Sequence, residues 1–148
     1  MDGIIDVMAC RTDSDADERV LLVDVANVVG SRPDGWWRDR AGAASRLLEL
    51  LGRLRGTQVE PPESGTPVRL TEVIAVVEGA ARSATGPESV ALVAAARDGD
   101  GEIVAQAHRI VTDGAVPLVV TADRGLRQRL PAASEIAGPE WLNRLIGR

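Results

Sequence analysis

The chain has 148 residues, 45% of them apolar, and a formal net charge of −5. That length suits one domain able to bury about two-thirds of its unfolded surface. All 17 basic residues are arginine, Phe and Tyr are missing, and His108 and Cys10 are each single. These counts exclude a phosphate-binding or Schiff-base lysine, a tyrosine acid and an internal disulfide. The chemistry left to the chain is therefore mainly that of carboxylates.

No apolar run approaches the roughly 18 residues needed to cross a bilayer, so no membrane partner is expected. The opening "MDGIIDVMAC" lacks a basic start and carries Asp2 and Asp6 within its short apolar stretch. It does not read as a secretory signal, and with a lone cysteine the expected location is the cytoplasm. Residues 1–19 hold six acids and two arginines and are expected to form a flexible acidic lead-in. The domain proper is expected over 20–148.

"VLLVDV" (20–25) is a continuous β-branched run, as in a strand buried on both faces. A Gly/Pro-rich loop follows. In "DRAGAASRLLELLGRLR" the residues Leu47, Leu48, Leu51 and Leu54 form one stripe of a helix. "GTQVEPPESGTP" (56–67) reads as loop, since its three prolines bar regular structure. "EVIAVVEG" (72–79) predicts a second strand ending at Glu78, with a short helix at "AARSA", and "SVALVAAA" (89–96) predicts a third strand. "DGEIVAQAHRIVTDG" predicts a helix stopped by Gly114, with Ile103, Ala107 and Ile110 on its apolar face. A fourth strand (116–122), a helix (123–130), a short fifth strand (134–138) and a helix opened by Pro139 complete the chain. Strands alternating with helices predict an α/β fold: a Rossmann-like three-layer sandwich with a mainly parallel sheet.

In such folds ligands bind beyond the carboxyl ends of the strands. Those ends carry Asp24, then Glu78, then Asp98, Asp100 and Glu102, then Asp123. One acid there is routine, because Asp caps helices well, and for Asp123 alone capping is the better reading. Four ends delivering carboxylates to one edge repel one another unless a cation joins them. Clustered oxygen ligands suit Mg²⁺ or Mn²⁺, which can activate water and stabilise charge on a phosphodiester. Asn27 and Thr121 could position a phosphate, or serve only as an Asx-type cap and a backbone partner.

"LLVDVANVVGSRPDGWWRDR" together with "PLVVTADRGLRQRL" resembles the PIN-like NYN ribonucleases, especially a small bacterial branch related to YacP-like NYN proteins. The resemblance spans about residues 20–142. It sets Asp24 and Asn27 on the family's D-x-x-N element and Thr121, Asp123 and Arg124 on its T-x-D-R element, with Glu78 as a second acid. It implies metal-dependent cleavage of RNA, single-stranded by expectation, by water attack at phosphorus. Asp24, Glu78, Asp100 and Asp123 are then the catalytic candidates. The metal candidates are Asp24, Asp100, Glu102 and Asp123; Asn27, Thr121, Arg124 and Trp37 would contact substrate.

One position departs from that pattern. Where relatives read "GDDAIV" this chain reads "GDGEIV" (99–104), with Gly101 in place of an acid. Either Asp100 or Glu102 substitutes as ligand, or catalysis is weakened and the chain is an RNA-binding or protein-interaction module. A nucleotide pyrophosphohydrolase is a third alternative, disfavoured because no helix carries paired glutamates. An EF-hand at "DGDGEI" fails, since Ala96 and Ala107 would fall on ligand positions.

His108 reads as a boundary residue and Trp141 as a core anchor. Of the adjacent Trp36 and Trp37, one is expected to pack on the following helix. The other points away, free to stack on a base or to form an interface such as a homodimer. Arg124, Arg127 and Arg129 either solvate their helix or form a basic rim.

Overall fold

The computed structural model describes residues 17–148. Most of the acidic lead-in therefore lies outside the described residues. The first strand, β1 (Glu18–Asp24), begins earlier than expected, taking in Glu18 and Arg19. Arg19 anchors that start through a 2.9 Å ion pair to Glu135.

Five further strands follow: β2 (Gln58–Val59), β3 (Val68–Val77), β4 (Ala91–Ala94), β5 (Pro117–Val120) and β6 (Glu135–Ala137). They form one sheet in the order β2-β3-β1-β5-β6, with β4 paired to β3. Every pairing is parallel except the two-residue contact of β2 with β3. The chain is thus mixed α/β with a mostly parallel sheet. β1 lies at its centre, Val23 facing Ala75 on one side and Val120 on the other.

The helices are α1 (Val25–Val29), α2 (Arg40–Leu51), α3 (Gly99–Thr112), α4 (Arg124–Arg129) and α5 (Pro139–Ile146). Successive strand residues point to opposite faces, and both faces are covered. Leu21 and Val23 of β1 join Val28, Leu47, Leu48, Leu51 and Leu142 in one core. Val20 and Leu22 join Ile103, Ala107, Ile110 and Leu126 in the other. Each fully buried leucine adds about 1.5–3 kcal/mol, which is what fixes the strand register.

Three further elements differ from the sequence reading. Within 56–67, expected to be loop, Gln58–Val59 forms β2 ahead of the prolines and pairs with β3. The loop expected after β1 begins as α1, because Asp24 accepts the Asn27 amide at 3.3 Å and so starts a helical turn. Strand β4, expected over 89–96, is confined to Ala91–Ala94 and is mostly exposed, with Leu92 open to solvent. It closes one edge of the sheet, and its alanines add little apolar area to either core.

Candidate functional site

The register places the strand-end acids on one edge. Asp24 ends β1 beside Val76 of β3, and Glu78 follows two residues on. On the other side of β1, Val120 ends β5 and Thr121 and Asp123 follow. Thr121, fully buried, joins the two strands: its hydroxyl donates to Asp24 Oδ2 at 3.4 Å and accepts from the Asp123 amide at 3.1 Å. Asn27 adds a second tie, its side-chain oxygen accepting from the Ala122 amide at 2.9 Å. Both side chains therefore tie the end of β1 to the segment after β5; for Asn27 this is neither the Asx-type cap nor the phosphate contact expected of it.

Each acid also has a local structural task. Asp24 caps α1, Asp98 caps α3 through the Gly101 amide, and Asp123 caps α4 through the Leu126 amide at 3.1 Å. Glu78 reaches the start of α3, where the Gly99 amide donates to its Oε2. Gly99 permits that approach, since a Cβ there would lie 2.9 Å from the same oxygen. Asp100 sits in the first turn of α3, where the helix dipole favours an anion.

Capping alone does not account for the charges. Asp24 is only 7% exposed, and burial pushes its carboxyl from 3.8 up to about 6, with the negative charges of Asp100 and Glu78 adding to the rise. Hydrogen bonds from Asn27 and Thr121 oppose the rise without cancelling it. The Asp100 carboxyl is also raised, first by burial and then by Asp123, Glu78 and Asp98. Asp24 thus feels the charges of Asp100 and Glu78, and Asp100 those of Asp123, Glu78 and Asp98. None of them forms an ion pair with arginine among the described residues.

The donor set consists of carboxylate oxygens, which fits a hard divalent cation and would favour charge on Asp24 and Asp100. In the structure as it stands the oxygens do not converge: among the described residues no three His, Cys, Asp or Glu side chains are placed to hold a metal ion.

Glu102 stands apart from the cluster. It is two residues beyond Asp100, about 200° around the helix, and accepts a hydrogen bond from Gln106 of the same helix at 3.1 Å. With Asp98 and Gly101 it borders a shallow hollow elsewhere on α3. Arg124 is exposed at the start of α4, yet it is Arg129, at that helix's other end, whose charge bears on Asp100. His108 is exposed on α3, away from any such cluster.

The tryptophans divide as their adjacency implies. Trp36 packs against the core, while Trp37 is 51% exposed and meets Trp36 edge-on at 5.9 Å between centroids. Trp141 packs on the same core, its indole N–H donating to the Glu60 carbonyl at 2.9 Å. Beside the acids lies a cavity of about 400 Å³, bordered by α1, Trp36, Arg40, Glu78 and Arg97. Trp37 does not line it. Sequence reasoning missed this cavity because its walls come from segments far apart in the chain. The only early signal was the aromatic pair set among arginines.

No family model, curated protein or solved structure matches the chain.

Proposed function

We propose that the chain is a metal-dependent endoribonuclease of the PIN-like NYN type, acting on single-stranded RNA in the cytoplasm. The observation that supports this most is the buried, raised carboxyl of Asp24, coupled to Asp100 and Glu78 and unpaired with arginine among the described residues. A capped helix alone needs no such group, since Asn or Ser would cap α1 without the electrostatic cost.

Asp24, Asp100 and Asp123 would hold Mg²⁺ or Mn²⁺, with Glu78 beside them. The bound ion would supply Lewis acidity for in-line attack of water at phosphorus. Thr121 and Asn27 tie the end of β1 to the segment after β5, which would hold Asp24 and Asp123 on the same edge when an ion draws them in. Arg129, whose charge bears on Asp100, and the exposed Arg124 would pair with phosphate oxygens. Glu102 is left out of the ligand set by its place on the helix.

A second reading, a non-catalytic RNA-binding or protein-interaction module, draws support from the unconverged oxygens and from Gly101 at the family's acidic position. One experiment separates the two. Single-stranded RNA is incubated with the chain and Mn²⁺, with and without chelator, and compared with Asp24→Asn. The nuclease proposal expects cleavage that chelator abolishes and that the variant lowers by two orders of magnitude or more. Equal cleavage by the variant, or none by the parent, would leave only the binding module.

A further inference from the structure

We infer that the cavity beside the acids seats one nucleotide of the RNA strand, next to the phosphodiester that is cut. This rests on the nuclease proposal and names the feature that would orient the substrate. At about 400 Å³ the cavity falls within the range of small-ligand clefts, and its construction matches a nucleotide's mixed chemistry.

Val25 and Val29 of α1 give it an apolar floor, and the indole of Trp36 forms a wall. Arg40 holds that ring in place, its guanidinium 5.5 Å from the ring centroid. Arg40 and Arg97 both border the cavity, and neither forms an ion pair among the described residues. A flat heterocycle suits the apolar and aromatic walls, and the phosphate it carries suits the two cations. A bare inorganic anion would leave the walls unused, and a purely apolar molecule would leave the arginines unpaired.

Position supplies the link to chemistry. Glu78 belongs both to the cavity wall and to the acid cluster, and Val25 directly follows Asp24 in the chain. A base seated here, with one flanking phosphate paired to Arg40 and Arg97, would bring the next phosphodiester of the strand to the carboxylates and their cation. Trp36 is therefore the substrate-side ring, and Trp37 lies outside the pocket.

The test uses the full chain carrying Asp24→Asn, so that bound RNA survives. It is titrated with a fluorescent single-stranded hexaribonucleotide at fixed Mg²⁺, while tryptophan emission is followed in parallel. Arg97→Gln removes a cation from an exposed position, and Ala81→Leu fills the cavity from its rim. Each is expected to weaken binding roughly tenfold or more and to reduce quenching of tryptophan emission, whereas Arg97→Lys keeps most of the affinity. The same substitutions in the Asp24-intact chain should raise KM more than they lower kcat.

Binding within twofold of the parent for both variants, with parental cleavage retained, would overturn the cavity assignment and leave the nuclease proposal intact. Failure of the parent chain to bind or cleave the strand at all would overturn both.

Discussion

Replacing Asp24 by asparagine should stabilise the metal-free protein, and should do so increasingly as pH rises. Burial and neighbouring negative charge lift the Asp24 carboxyl from 3.8 to about 6 in the folded state. A carboxyl raised on folding contributes its full stability below the unfolded value and loses it as pH climbs through the folded one. At about 1.4 kcal/mol per tenfold change in proton affinity, the whole loss amounts to about 3 kcal/mol, most of it between pH 4 and pH 7.

Asparagine keeps the acceptor for the Asn27 amide and can donate to the Thr121 hydroxyl, so any packing difference is a constant offset. Urea unfolding in EDTA, followed by tryptophan fluorescence from pH 4 to pH 8, reads the difference between variant and parent. The variant's advantage should grow by about 3 kcal/mol up to pH 7 and then level off. At pH 7, Mn²⁺ at tenfold over its dissociation constant should then restore about 1.4 kcal/mol to the parent and little to the variant. A difference that stays flat with pH, or shrinks as pH rises, would refute the electrostatic reasoning.

Two further substitutions probe how the edge is assembled. Thr121→Val keeps the shape of a fully buried side chain but removes both of its hydroxyl contacts. It should cost about 1–2 kcal/mol in urea unfolding and move the Asp24 inflection to higher pH, since the lost hydrogen bond favoured the charged form. Gly99→Ala would set a Cβ 2.9 Å from Glu78 Oε2, and the flexible end of Glu78 must yield. Its stability should change by no more than about 1 kcal/mol, because alanine's better helix propensity offsets the lost contact. Metal-dependent cleavage by Gly99→Ala should nevertheless fall at least tenfold.

The sequence was most legible where one physical signal dominated. The apolar run of β1 and the leucine stripe of α2 each specify an element, and both are buried as their patterns imply. The acids were legible for a topological reason: in a parallel sheet every strand ends on the same side, so residues just past those ends share an edge. Conflicting signals explain the differences. Residues 25–29 are rich in β-branched valine, which masks a helix that forms because Asp24 caps it. The segment around β4 is apolar enough for a buried strand, yet only its place in the sheet decides that it lies at an edge. The cavity was illegible because its walls meet only after α1, the Trp36 turn and the segment past β3 have packed.

The helix caps and the acid cluster set two demands on the same residues. A cap needs one oxygen facing an amide, and Asp24 and Asp123 supply it with Oδ1. That contact fixes each side chain's position with a local hydrogen bond, leaving charge as the remaining variable. The caps belong to helices on opposite faces of the sheet, α1 on one and α4 on the other, and Asp100 links their charges, raising Asp24 and being raised by Asp123. Fold stability alone would relieve that repulsion by a neutral cap or a nearby arginine, yet Arg129 lies near enough only to moderate Asp100. The repulsion is thus built into the architecture, and on the metal-dependent proposal a divalent cation would convert it into attraction. On that proposal Gly101 matters less than the resemblance to NYN ribonucleases suggests. A side chain there would lie 3.1 Å from the cap oxygen of Asp98, crowding the start of α3, whereas Asp100 already brings a carboxylate within reach of the cluster.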